Sequence, residues 1–475
     1  MNEYTRSLYV YILIAFLGLA MILMKKSETL RFGSSVEITE NEIMDHIRYL
    51  SHEDRAGRFP GTRESKDVIS YLIRHFKSYG VKPGGENGSY VQPFNITDGI
   101  ELGANNSMTM GDTSLTIHSD YIPLWFSGND SVSASAVFAG YGFTIDEKEL
   151  KWNDYADLDV SGKWVIMMRH SPERNNQHSL YTSHSGLHKK MLVARDNGAV
   201  GVIFVSQVED TDLYPLRYIS GYKNAGIPAI HLSNEMADHL FKTVGWSRET
   251  IQETMNQSLE PITFNLTAVT INASVELIPI QMRAANVVGL IQSGHRKYRN
   301  EYVVIGAHFD HVGMGGPGTG SRKPDTLGIH PGADDNASGT AGLLEIAQKL
   351  SSQKSRLKRS VLFIGFDAEE KGLLGADYFA RNPTVPVTSM VANVNLDMPI
   401  LTYEFADVIA FGANHSDLQE SVEKAAANAD IELSPDPWPE QALFTRSDHY
   451  AFVKQGVPSV FMVPGLKSKD PNVDG

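Results

Sequence analysis

The sequence contains no cysteine. Disulfide bonds, thiolate nucleophiles, thiolate metal ligands and a lipid anchor on an N-terminal cysteine are therefore excluded. Any bound metal must be held by His, Asp and Glu side chains. Basic residues are also outnumbered, because 42 Lys and Arg stand against 56 Asp and Glu, for a formal net charge of -14. An acidic balance of this size argues against nucleic acid as the main partner.

Long apolar runs are rare as well, since residues 8–24 form the single one. With a mean hydropathy of -0.22, a protein with several membrane spans is excluded. The 17-residue run follows Arg6 and precedes two lysines, which is typical of a signal sequence or an uncleaved anchor. We assign residues 1–30 to that role and expect an exported protein. If the segment is uncleaved, the protein is anchored in the membrane and faces the periplasm or the extracellular side. If the segment is cleaved, the protein is secreted or periplasmic.

The chain of 475 residues is long enough for two folded units. Residues 90–145 alternate apolar and polar side chains around Gly, Asn and Asp, which predicts short strands. From residue 302 onward, short apolar strands alternate with amphipathic helices. This alternation predicts an α/β unit with a mostly parallel or mixed central sheet flanked by helices.

Acidic and imidazole residues recur where the strands of the last third are predicted to end. They are His308 and Asp310, Asp334 and Asp335, Glu369 and Glu370, Asp397, and His449. In an open α/β sheet, ligands bind outside the carboxyl ends of the strands. Each motif alone is more often a turn or a solvated loop than a metal site, but five such loops in one unit predict a metal site. Ligation by nitrogen and oxygen suits zinc best, then manganese or cobalt.

The spacing of these residues has a chemical meaning. His308 and Asp310 are two residues apart and share one face of an extended segment, so Asp310 can accept a proton from His308 and orient its ring. Adjacent carboxylates at Glu369 and Glu370 diverge, so one can bind metal while the other faces a substrate water. A glycine-rich turn lets Asp335 approach two ions. The remaining candidates have no such support and are interpreted as loop or supporting residues: His311, His330, His415 and Asp334.

Five motifs of the last third resemble peptidase family M28, the co-catalytic di-zinc exopeptidases that include leucyl-type aminopeptidases and glutamate carboxypeptidase. They are AHFDHVG at Ala307–Gly313, GADDNASG at Gly332–Gly339, FDAEEKGLLGA at Phe366–Ala376, NLDM at Asn395–Met398 and RSDH at Arg446–His449. Two earlier segments add to the likeness, namely GRFPGT at Gly57–Thr62 and NVVGLI at Asn286–Ile291. The resemblance implies the zinc exopeptidase fold.

The resemblance also implies the ligand set of two zinc ions per chain. In that set His308 and Asp397 bind one ion, Glu370 and His449 bind the other, and Asp335 bridges both. Members of the family continue with a further Tyr-His segment and a closing helix, whereas this sequence reaches Gly475 26 residues after His449.

Catalytic roles follow from the same resemblance. Glu369 is the implied general base and acid, Asp310 the residue that orients His308, and the peptide bond after Asp335 is expected to be cis. Glu440 is a candidate for holding the substrate's free α-amine.

A second resemblance, to the protease-associated (PA) domain, covers the middle of the chain. Its motifs lie at Ala139–Gly142, Tyr155–Lys163, Gly198–Phe204 and Ile227–Ile230. We therefore expect a β-rich α+β insert over residues 119–259, flanked by catalytic segments 31–118 and 260–475.

The implied reaction is hydrolysis of the N-terminal peptide bond of a peptide or protein, through a bridging water and Glu369. Three alternatives remain open at this point. A carboxypeptidase or dipeptidase uses the same metal set and needs a cation for the C-terminal carboxylate, for which Arg446 is available. A glutaminyl cyclase-like transferase uses one zinc, and a non-catalytic binding module of this fold is expected to lose ligands.

Overall fold

The computed structural model describes residues 37–176, 178–219, 224, 226–316, 326–400, 403–470 and 472. The apolar run at residues 8–24, and with it the expected N-terminal helix, lies outside these ranges. Within them, no helix combines the length and apolarity needed to cross a membrane.

Nine α-helices occur in the described ranges. They are α1 (Glu40–Leu50), α2 (Arg63–Ser78), α3 (Leu187–Asp196), α4 (Asn234–Lys242), α5 (Arg248–Ser258), α6 (Gly339–Ser352), α7 (Leu374–Arg381), α8 (Leu418–Asn428) and α9 (His449–Val453).

The described ranges also contain 19 strands. The first eleven are β1 (Lys82–Pro83), β2 (Val91–Leu102), β3 (Ser107–Met110), β4 (Thr113–Leu115), β5 (Tyr121–Pro123), β6 (Asp130–Ala139), β7 (Thr144–Asp146), β8 (Lys151–Asn153), β9 (Trp164–Met168), β10 (Gly201–Val205) and β11 (Ala229–Leu232). The others are β12 (Thr263–Val275), β13 (Leu277–Ile291), β14 (Tyr302–His308), β15 (Ser360–Phe366), β16 (Met390–Leu396), β17 (Asp407–Phe411), β18 (Glu432–Ser434) and β19 (Ser459–Pro464).

The chain divides into two compact units, one formed by Met1–Ile96 with Met282–Gly475 and the other by Thr97–Gln281. The inserted unit therefore begins at residue 97 rather than 119 and ends at 281 rather than 259. The reason lies in strand pairing, because β3 and β12 pair with each other and β12 pairs with β6 inside the inserted sheet. These strands therefore belong to the insert.

The first unit is built on a mixed sheet, as expected from the alternation of strands and helices. Its order is β1-β13-β15-β14-β16-β19-β17-β18, and β2 also pairs with β13. The central strands β15, β14, β16 and β19 run parallel, while β13 is antiparallel to β15 and β17 is antiparallel to β19 but parallel to β18.

Helices cover both faces of this sheet because successive side chains of a strand point to opposite faces. Along β14, Val303 and Ile305 join a core cluster with residues of α1, α2, α6 and α8. Val304 joins a second cluster with residues of α7 and α9. Strands buried on both faces read as continuous apolar runs, which is why their positions could be predicted.

The inserted unit contains an eight-stranded sheet in the order β4-β3-β12-β6-β9-β10-β11-β5 and a separate β7-β8 pair. Helices α3, α4 and α5 fall within this unit. It is thus β-rich with a few helices, as expected.

Candidate metal centre

Strand register brings the first candidate residues to one edge of the sheet. His308 is the last residue of β14 and lies opposite Phe366, the last residue of β15. Strand β16 runs parallel to β14 and ends at Leu396, directly before Asp397. The carboxyl ends of three neighbouring parallel strands therefore deliver a histidine, an aspartate and the Glu369–Glu370 pair to the same place.

One group of donor atoms centres on His308. Its Nε2 lies 3.2 Å from Oδ1 of Asp397 and 4.0 Å from Oε2 of Glu369. His308 and Asp397 are buried, and the Glu369 side chain is 12% exposed. These three ligand atoms all lie within 4.8 Å of one another.

A second group contains His311, Asp335 and Glu370, again with ligand atoms within 4.8 Å of one another. Nδ1 of His311 lies 2.6 Å from Oε1 of Glu370 and 4.0 Å from Oδ1 of Asp335. The same Asp335 oxygen lies 3.4 Å from Nε2 of His308. Asp335 therefore stands between the two groups, in the position expected of a bridging carboxylate.

The turn that carries Asp335 is held by its neighbours. The Asp335–Asn336 peptide bond is cis, as the resemblance implied. Asn336 Oδ1 accepts hydrogen bonds from the amides of Gly339 (2.9 Å) and Met398 (3.3 Å), which ties the turn to the end of β16. Gly332 has a φ of 55°, and a Cβ there would lie 2.3 Å from the Asp335 carbonyl oxygen. A larger residue at Gly332 would thus displace Asp335.

Asp310 has different partners from those expected. Its Oδ1 accepts the amide hydrogen of Glu369 (3.0 Å) and its Oδ2 that of Glu370 (3.3 Å). Nδ1 of His308 lies 3.3 Å from the Asp310 backbone oxygen and 3.8 Å from the carboxylate. The carboxylate therefore fixes the backbone of the two glutamates, and the backbone carbonyl is the nearer partner of His308.

Sequence reasoning missed Ser447. Its hydroxyl donates to Oδ2 of Asp397 at 2.6 Å and accepts from Nδ2 of Asn395 at 2.8 Å. Both Ser447 and Asn395 are buried. This chain of hydrogen bonds leaves Oδ1 of Asp397 free to face His308.

His449 does not join either group, in contrast to the ligand role expected for it. It is fully buried at the start of α9, and its ring lies 5.4 Å from the ring of Phe444 and 5.4 Å from that of Phe461. Burial, the main cause, lowers its pKa to about 4. Instead, the structure brings His311 to Glu370, although His311 had been interpreted as a loop residue. The sequence feature that could have identified His311 is the second histidine of AHFDHVG, which follows His308 by three residues.

The other sequence candidates lie outside the donor groups. Asp334 Oδ1 accepts from the Ser338 hydroxyl (3.2 Å) and the Ile400 amide (3.1 Å), a structural role in the same turn. Glu440 and Arg446 are exposed. Glu440 belongs to neither donor group among the residues described.

Burial and crowding of carboxylates perturb the titration of the centre. Burial, together with Asp448, Asp397 and Asp310, raises the pKa of Glu369 to about 10. Burial would lower the pKa of His308, but the neighbouring carboxylates hold it well above its ordinary value. Such a concentration of buried acids is relieved by a divalent cation, which favours the ionised form of each ligand.

The donor set fits divalent cations that prefer nitrogen and oxygen. Ligands about 2.0–2.2 Å from a tetrahedral zinc are roughly 3.4 Å apart. The 3.2 Å and 3.4 Å separations around His308 match that spacing. The 2.6 Å contact between His311 and Glu370 is a hydrogen bond and would open to admit an ion.

Comparisons with known proteins agree with both resemblances. Residues 286–473 match the family model described as Peptidase family M28, and residues 132–240 match that of the PA domain. The two matches lie on separate segments of the chain, one similar to peptidase family M28 and the other to the PA domain.

Individual relatives align over short stretches. A "Probable zinc metalloprotease" of Pyrenophora tritici-repentis is 35% identical over 99 residues, 21% of each chain. A "Probable leucine aminopeptidase 2" of Arthroderma benhamiae is 29% identical over 179 residues, covering 35% of this chain and 32% of the relative. The alignments therefore span between a fifth and a third of these relatives. Among solved structures, an aminopeptidase from Aneurinibacillus sp. strain AM-1 is 21% identical with a TM-score of 0.48, over 90% of this chain and 86% of the other.

Proposed function

We propose that this protein is a zinc-dependent exopeptidase that acts as an aminopeptidase. The observation that carries the proposal is the pair of adjoining donor groups, which meet at Oδ1 of Asp335 beside the carboxyl of Glu369. The relatives named as leucine aminopeptidase and zinc metalloprotease support the same class of reaction.

Two zinc ions per chain are part of the proposal. His308 and Asp397 would hold one ion, Glu370 and His311 the other, and Asp335 would touch both. When bound, the ions supply Lewis acidity toward the scissile carbonyl and lower the pKa of water.

Glu369 is the residue proposed to move the proton. Its amide is fixed by the Asp310 carboxylate, so Oε2 is held 4.0 Å from His308 Nε2 at the edge of the first donor group. A pKa of about 10 favours the protonated form, and nearby cations lower it toward the range of a general base. Glu369 can then take a proton from water and pass it to the leaving amine.

The charge of the centre favours a free amine over a free carboxylate as the recognised end of the substrate. Five carboxylates lie in the two donor groups and beside them. Arg58, a buried arginine in the GRFPGT motif, donates its hydrogen bonds to backbone carbonyls. Arg446, the candidate for clamping a C-terminal carboxylate, is exposed.

A panel of fluorogenic substrates tests the proposal. Aminoacyl coumarins with a free N-terminus should be cleaved, and the N-acetylated counterparts should not. A chelator should abolish cleavage and added zinc should restore it. Release of C-terminal residues from N-blocked peptides would instead support a carboxypeptidase, and cyclisation of N-terminal glutamine without hydrolysis would support a transferase.

We also propose that residues 1–30 direct export, with the enzyme facing the periplasm or the extracellular side. The apolar run at residues 8–24 supports this. Fractionation of cells that express the full chain or a chain lacking residues 1–30 tests it. Equal cytoplasmic recovery of both chains would contradict export.

A further inference from the structure

Arg58 is a fully buried arginine whose side chain is used entirely on backbone carbonyls. Nε donates to Phe309 O at 2.7 Å, and Nη1 donates to Leu50 O and Pro331 O, both at 2.7 Å. Nη2 donates to Gly332 O at 2.8 Å. One guanidinium therefore joins three chain segments that are far apart in the sequence.

Two of these segments carry the candidate metal ligands. Phe309 lies between His308 and Asp310, and Gly332 lies three residues before Asp335. The distance between the His308 loop and the Asp335 turn is thus spanned by hydrogen bonds from a single side chain. The Leu50 carbonyl, at the end of α1, anchors the same guanidinium to the helical layer.

The backbone around Arg58 reinforces this contact. The Gly313 amide donates to the Gly57 carbonyl at 3.2 Å, and the His311 amide lies 3.4 Å from the Arg58 carbonyl. A Cβ on Gly57 would lie 2.5 Å from the Gly313 carbonyl oxygen, so only glycine permits this approach. The loop that carries His311 is therefore held by the segment that carries Arg58.

We propose that Arg58 is a positioning residue for the metal centre, which sets the spacing between the loop of His308 and His311 and the turn of Asp335. Arginine suits this task because its planar fork carries five donors in fixed directions. A lysine keeps the charge but carries three donors on one nitrogen, so it cannot reach carbonyls on both sides of the fork. The inference rests on the proposed metal-dependent function.

The test compares zinc affinity in four full-length variants. Arg58→Lys keeps the charge and loses the fork, and Arg58→Met loses both. Arg55→Lys is the matched chemical control, because Arg55 Nη1 lies 3.4 Å from Tyr49 Oη and 3.4 Å from Asp67, away from the ligand loops. Leu350→Ala, in the core at the far end of α6, is the control for lost stability.

Zinc affinity is measured by competition with a chromophoric chelator, and kcat and KM are measured at saturating zinc. We expect Arg58→Lys to weaken zinc binding about 10–100-fold and to lower kcat with little change in KM. Arg55→Lys and Leu350→Ala should keep the wild-type zinc affinity, even where Leu350→Ala lowers Tm as much as Arg58→Lys does.

Three results would overturn the role of Arg58. They are wild-type zinc affinity in Arg58→Lys, an equal loss of affinity in Leu350→Ala at matched stability, and failure of both Arg58 variants to fold while Leu350→Ala folds. Failure of the proposed function has a different signature. A wild-type protein that binds zinc but cleaves no peptide refutes the exopeptidase while leaving the affinity comparison intact.

Discussion

Replacing Ser447 by alanine removes one oxygen atom from the surroundings of Asp397. The Ser447 hydroxyl donates to Asp397 Oδ2 at 2.6 Å and accepts from Asn395 Nδ2 at 2.8 Å, and all three residues are buried. The Ser447→Ala substitution leaves Oδ2 without this donor and Asn395 without this acceptor, in a place that water does not reach easily.

The magnitude follows from the kind of bond that is lost. A hydrogen bond to a charged group contributes about 1.5–3 kcal/mol. Loss of a residue that orients a metal ligand typically weakens metal binding about 10–100-fold, which corresponds to about 1.4–2.8 kcal/mol. Both routes give the same range. We therefore expect Ser447→Ala to bind zinc about 10–100-fold more weakly than the wild type.

A chelator competition assay at fixed pH measures this change. Ser459→Ala is the matched control, because Ser459 is equally buried at the start of β19 but donates to the Val457 carbonyl at 2.9 Å. It should keep the wild-type zinc affinity. Equal zinc affinities in Ser447→Ala and Ser459→Ala would refute the reasoning.

Further predictions concern catalysis, the second donor group and the inserted unit. Glu369→Gln should keep the zinc content and lose about 10²–10⁴-fold in kcat, and near-wild-type turnover would remove Glu369 as the base. His311→Ala should weaken zinc binding while His449→Ala lowers Tm without doing so; the reverse pattern in a zinc titration would restore the ligand role to His449. Burial holds the pKa of His231 at about 3, below an unfolded value of about 6.5, so stability should fall as pH drops. Between pH 6.5 and 4.5 the wild type should lose about 2 kcal/mol of unfolding free energy, measured by urea unfolding, that His231→Asn keeps. The same loss in His231→Asn as in the exposed-site control His239→Asn would contradict this.

The strand ends of the first unit could be predicted because buried parallel strands have a simple sequence signature. The run before His308 was expected to form a strand, and the structure has β14 over Tyr302–His308. Helix α6, which spans Gly339–Ser352, is one of the amphipathic helices expected after residue 302. Once neighbouring strands are parallel, the residues after them meet at one edge, so the meeting of His308 and Asp397 needed no further information.

The direction of side chains at the start of a short helix could not be predicted in the same way. Ser447, Asp448 and His449 are three consecutive polar residues, of which the first two precede α9 and His449 is its first residue. The packing of Ala451 and Phe452 in the core sets the rotation of α9. That rotation puts His449 among aromatic rings, while Ser447, in the bend before the helix, faces Asp397.

The boundary of the inserted unit was missed for a related reason. It falls at Gln281–Met282, inside the continuous strand β13. No turn residue or change in composition marks such a position. Partners in the sheet decide which unit each half of the strand joins, and pairing over long sequence distances is not visible in a local pattern.

Anomalous diffraction from zinc-loaded crystals is the most direct measurement of the central claim. We expect two zinc ions per chain, one bound by His308 and Asp397 and the other by Glu370, with a carboxylate oxygen of Asp335 contacting both. Density for zinc elsewhere, or no contact between Asp335 and either ion, would contradict the account.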